Sequence, residues 1–147
     1  SAYTQIVSKG TDTNDDAVAG NLGEIITSSL VSGSAISLTT NTAADITSIS
    51  LTAGDWVIYG VANFIMSGTT ASDFQAGSNT TSATIGGENT FVEKPFSFTE
   101  LSSTYGESIP MTRYSLSGTT TIYLVVKSTF TVGTGASYGK IEARRVR

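Results

Sequence analysis

The sequence predicts an all-β fold, an antiparallel β-sandwich of about eight strands. Three observations carry that expectation. Runs rich in Val, Ile, Thr, Tyr and Phe recur along the 147 residues, the composition of a pleated, half-buried surface. Turn signals built from Gly, Asn, Asp and Ser fall about every ten residues between them. Nowhere do apolar residues recur at three and four over two turns without an intervening glycine, so no helix is expected.

Residues 1–22 read as an arm or junction, and residues 23–147 as the sandwich. Within the arm, residues 4–8 suit a short edge strand and residues 11–16 a polar loop. The polar lead and the absence of an initiator methionine at Ser1 suggest a piece of a longer chain, with an upstream element before it. The first firm strand centres on residues 24–28. Residues 31–34 turn the chain into a strand at 35–38, and residues 40–43 turn it again. Ile46, Ile49 and Leu51 mark a further strand whose uneven spacing suggests a bulge. After the turn at 52–55, residues 56–66 form the longest apolar run. Residues 67–90 read as loops with one short strand near 81–85. Residues 91–98 resume extended structure, with Pro95 implying an edge position. Residues 100–108 read as a loop and 109–116 as a strand. The chain ends in a hairpin, with strands at 119–131 and 137–147 around the turn Val132-Gly133-Thr134-Gly135. Half of the eight basic residues lie in its last strand.

Composition excludes whole classes of chemistry. There is no His and no Cys, which removes a Ser-His-Asp triad, a thiolate nucleophile, a histidine zinc site and any disulfide framework. A glycosidase needs only two carboxylates, and Asp55, Asp73, Glu88, Glu93, Glu100 and Glu107 are available. Each falls in a predicted loop or strand end, where surface acids ordinarily sit, so no enzyme is expected. The run Asp12-Thr13-Asn14-Asp15-Asp16 opens like a calcium loop, but Ala17 and Gly23 occupy the positions that need Gly and Glu. No metal or cofactor is expected. A net charge of −4 argues against nucleic acid as a partner, and no apolar run is long enough for a transmembrane segment.

The strand at 56–66 is apolar on both faces. Trp56, Ile58, Ala62, Phe64 and Met66 point one way and Val57, Tyr59, Val61 and Ile65 the other. Left in water, those last four would forgo on the order of 6–12 kcal/mol of burial, comparable to a domain's whole net stability of roughly 5–15. A subunit, or alternatively a long loop, is expected to cover them. In the hairpin, Ile122, Leu124, Val126 and Phe130 are expected in the core, with Tyr123, Val125 and Lys127 facing a neighbour or a covering loop. The expected interface set is therefore Val57, Tyr59, Val61, Ile65, Tyr123 and Val125. Arg113, Lys127, Lys140 and Arg144 are expected to pair with carboxylates or an anion there, and the Arg144-Arg145-Val146-Arg147 ending to pair charges at the assembly.

Three stretches point further. They are Leu51-Thr52-Ala53-Gly54-Asp55-Trp56, Ser115-Leu116-Ser117-Gly118-Thr119-Thr120-Thr121-Ile122-Tyr123-Leu124, and the ending Tyr138-Gly139-Lys140-Ile141-Glu142-Ala143-Arg144-Arg145-Val146-Arg147. With them, residues 51–147 resemble a domain recurrent at the C-termini of tailed-phage tail proteins. The resemblance implies a homotrimeric jelly-roll or TNF-like knob at the tip of a tail needle or tail fibre. Such a knob caps an upstream helical or fibrous shaft and meets a host cell-surface receptor or envelope component. It implies a place in the virion tail, outside the cell, and carries no catalytic residue onto this chain. Two alternatives remain at this point: a capsid-decoration or other virion structural protein without receptor binding, and a carbohydrate-binding module. Recognition is expected in the loops at 67–90 and 100–108.

Overall fold

Strand partners, rather than any one strand, decide the architecture. The computed structural model describes residues 12–95 and 101–147. Among them are nine antiparallel strands: β1 (Ile25–Leu30), β2 (Ile36–Leu38), β3 (Ala44–Leu51), β4 (Gly54–Asn79), β5 (Phe91–Pro95), β6 (Leu101–Ser108), β7 (Thr112–Leu116), β8 (Thr120–Thr131) and β9 (Thr134–Arg145). A three-residue 3₁₀ turn at Ser32–Ser34 is the one helical element there. The all-β antiparallel expectation holds, with nine strands in a nearly closed arrangement.

A front sheet joins β1 and β2, end to end, to β9, then to the first half of β4, then to β7 and β6, again end to end. A back sheet joins β3 to β8, to the second half of β4, and to β5. β4 belongs to both. It pairs with β9 as far as Ser67↔Thr134 and with β8 from Thr70↔Thr131. Gly68, at a φ of +63°, makes the bend between them. The β8–β9 hairpin turns over the same point, at Val132 and Gly133. A side chain on Gly133 would drive into the Ser67 carbonyl oxygen, so the two bends nest only because that residue is glycine.

Side-chain alternation then builds the core. From β4 come Trp56, Ile58, Ala62, Phe64 and Met66, met by Ile141 and Ala143 of β9 and by Ile122, Leu124 and Val126 of β8, all buried. Ile46, Ile49 and Leu51 complete it from β3. Their uneven spacing is explained by a register shift between Asp45 and Thr47, the expected bulge. Phe64 and Phe74 join the sheets with ring centroids 4.8 Å apart, and Tyr105 stacks on Phe74 at 5.6 Å. Along one side the sheets are stitched by Ser28 and Thr47, whose hydroxyls lie 2.5 Å apart.

Three sequence expectations are corrected. Residues 67–79 are strand, not loop, and the short strand expected near 81–85 is loop. Gly, Ala, Asp and Asn, common in this stretch, have weak strand preference, and the register shift between Ala71 and Asp73 breaks the alternation. Pairing with β8 and β5 on both sides overrides these local signals. Residues 101–108, also expected as loop, form β6 on the edge of the front sheet. The expected strand at 4–8, Glu100 and the stretch 96–98 lie outside the described residues.

Candidate interaction face

The two sheets present unlike outer faces, and the interface set expected from sequence is divided between them. Val57, Tyr59, Val61 and Ile65 stand on the outer face of the front sheet, in register with Arg144, Glu142, Lys140 and Ala136 of β9. Tyr123 and Val125 stand on the outer face of the back sheet, in register with Asn79 and Gly77. A single flat contact does not take in both groups.

The back face is polar and carries its own cover. Val125 is only 1% exposed within the single chain. Its register partner Asp45 accepts hydrogen bonds from the Ser82 hydroxyl at 2.5 Å and the Ala83 amide at 2.8 Å. Loop 80–90 is thereby held over this row. Lower on the face, Lys127 is in register with Gln75, whose amide donates to Asp73 at 3.1 Å and Glu93 at 2.9 Å. Two of the carboxylates considered for glycosidase chemistry thus share one amide donor on a sheet face. The Asp73 carboxylate also accepts the Thr129 amide at 2.7 Å.

The front face is different. Tyr59 (38%), Val61 (43%), Ile25 (50%) and Met111 (75%) are large apolar side chains exposed on it or at its margin, with Val31 at the rim. Val57 and Ile65 are half-buried between their neighbours. Tyr59 donates its hydroxyl to Glu142, and Lys140 Nζ lies 2.6 Å from the other oxygen of the same carboxylate. The Lys140 ammonium, then the Tyr59 hydroxyl, hold Glu142 below the usual carboxylate range, and the adjacent carboxylate pushes the Tyr59 phenol up. Two shallow hollows of about 290 and 360 Å³ lie on this face and share Val61 and Lys140.

Of the four cations expected to seek partners at an interface, Arg113 and Lys140 find carboxylates within the chain. Arg113 forks onto Asp55 through Nε (2.7 Å) and Nη2 (2.5 Å), and Arg147 reaches the same carboxylate at 3.0 Å. Asp55 is consequently held below its ordinary range, the Arg113 hydrogen bonds being the largest cause. Arg144, which is exposed, and Lys127 are the exceptions, neither having an ion pair among the described residues.

Arg145 was not singled out from sequence and is the most integrated cation among the described residues. It is buried; Nε donates to Glu24 at 2.9 Å, Nη1 to the Ala53 carbonyl at 2.9 Å and Nη2 to Thr52 Oγ1 at 2.6 Å. Its guanidinium lies 4.2 Å from the centre of the Trp56 ring. Glu24 in turn accepts the Gly20 amide at 2.8 Å; that bond, with Arg145, holds its carboxyl down. The basic ending therefore pairs its charges largely inside the chain, where pairing at an assembly was expected. The available signal was parity: Arg145 shares its side of β9 with Ile141 and Ala143, both in the core.

Among the described residues no group of three His, Cys, Asp or Glu is placed to hold a metal ion, and no helix is long and apolar enough to cross a membrane. The chain matches no protein-family model, no curated protein and no solved structure.

Proposed function

We propose that this chain is the tip or knob domain of a phage tail needle or tail fibre. It acts as a homotrimer that caps a shaft and meets the host cell surface, and it works by binding rather than by catalysis. One observation supports the assembly: the front face leaves Ile25, Tyr59, Val61 and Met111 uncovered while the back face is polar and covered by its own loop. Four such side chains at about half exposure leave about 3–6 kcal/mol of burial unrealised in each copy. A second copy of the chain can supply it. Of the two loops expected to carry recognition, residues 67–79 and 101–108 are strands. Loop 80–90 and the turn at Val132 and Gly133 remain as exposed connections.

Sedimentation at micromolar concentration tests the assembly, with a trimer mass expected and a monomer overturning it. Adsorption of the labelled chain to a panel of bacterial cells tests the host contact, with saturable binding to a host expected. A trimer that adsorbs to no host surface supports the alternative, a virion structural protein without receptor binding.

A further inference from the structure

The edge of the front sheet is broken at one place. β6 ends at Val61↔Ser108 and β7 begins at Ile58↔Thr112. Three edge residues, Ile109, Pro110 and Met111, thus stand opposite two residues of β4, Tyr59 and Gly60, which is a bulge. Proline has no N–H to give the ladder, which suits it to this position. Ile109 turns inward, 5% exposed, and its amide bonds the Gly60 carbonyl at 3.0 Å. Continuing the β7 register one step places Met111 beside Tyr59, on the outer side. The break leaves the hollow of about 290 Å³ with Gly60, Val61 and Ile109 in its floor and Tyr59, Glu142 and Lys140 on its rim.

We propose that Met111 and this hollow are a knob and a hole, and that a neighbouring copy of the chain supplies the Met111 that fills each hole. The proposal rests on the assembly reading above and names the contact that carries it. Methionine is unbranched and flexible, suited to irregular gaps, and this one is the most exposed large apolar side chain among the described residues.

Charge favours a second copy over a polar or charged ligand. Both oxygens of Glu142 are already engaged, by Tyr59 and Lys140, and Asp55 holds Arg113 and Arg147. At the hollow itself a sugar or an ionic partner would find these groups already used, the unpaired Arg144 standing two register positions away opposite Val57, whereas an apolar knob displaces only water. Size agrees: a face about four strands wide and ten residues long covers roughly 600 Å², against roughly 800 Å² per partner in a standard interface. In a trimer the contact is heterologous, and a closed threefold ring lets each hole take the Met111 of its neighbour.

The test exploits the absence of cysteine from the chain. M111C and V61C are prepared separately, mixed, re-equilibrated and oxidised; a disulfide-linked pair between the two variants is expected. In sedimentation, Met111→Glu is expected to weaken association at least about thirtyfold, the scale of an interface hot spot. Met111→Leu should keep it, and Ser50→Glu, which charges an exposed site on the outer side of the back sheet, should leave it unchanged. No mixed disulfide and full association of Met111→Glu, with the wild-type chain still oligomeric, would overturn the knob and hole while leaving assembly standing. A monomeric wild-type chain, including one that binds envelope glycans through this face, would overturn both.

Discussion

Replacing Arg145 by alanine removes one side chain that ties four parts of the fold together. It reaches Glu24 before β1, Thr52 and Ala53 in the β3–β4 turn, and the face of Trp56. Three charge-assisted hydrogen bonds at about 1.5–3 kcal/mol each would sum to more than the variant should lose, because the Ala53 carbonyl and Thr52 hydroxyl can recover water. The Glu24 carboxylate recovers less, since its side chain is only 12% exposed. The loss should therefore approach that of breaking a buried pair from one side, about 3–5 kcal/mol. For a chain of this length that is about 9–15 °C in Tm, at roughly 3 °C per kcal/mol. Thermal and urea unfolding at one fixed protein concentration measure it, with a cycle that adds Glu24→Gln to isolate the pair. Arg145→Lys should recover only part, because an ammonium cannot bond three separated acceptors in a planar fork. A loss below about 1 kcal/mol, or additivity in the cycle, would refute the idea that this clasp closes the domain.

Two further outcomes follow from the same geometry. Glu24, Asp55 and Glu142 are all held below their ordinary range by hydrogen-bond donors and cations. A carboxyl whose folded pKa is depressed stabilises the fold above its unfolded pKa and loses that contribution as pH falls through the folded one. Stability should thus be flat above about pH 5 and fall below about pH 4, and urea midpoints across that range would check it; a midpoint rising on acidification would contradict the assignments. Val132 is β-branched, 73% exposed and held at a φ of +51°, a conformation that Asn tolerates better. Val132→Asn should raise stability by about 0.5–1 kcal/mol, read as a higher urea midpoint at unchanged slope.

Much of the fold was legible one strand at a time. The β-branched runs located β1, β2, β3, β7, β8 and β9, and the uneven Ile46, Ile49 and Leu51 disclosed the β3 bulge. Parity separated Trp56, Ile58, Ala62, Phe64 and Met66 from Val57, Tyr59, Val61 and Ile65, and the core assignments of Ile122, Leu124, Val126 and Phe130 hold. The candidate face was legible as an excess of apolar residues, but not as a location. Parity says that Tyr59 and Val125 both point away from the core; it cannot say that they point away on different sheets. Met111, next to a proline in a short apolar run, gave no local sign that it stands at a break in an edge.

The sequence alone thus determined the fold class and strand faces, because alternation is a local property of a pleated chain. It also excluded cysteine and histidine chemistry, because composition is sufficient for that. Only the tertiary structure decided that β4 runs on through Gly68, Ala71, Asp73 and Gly77 to Asn79, since pairing on both sides supplies what propensity lacks. Only the tertiary structure placed Arg145 on Glu24, 121 residues away, because a buried charge survives by a partner that the chain must fold to reach.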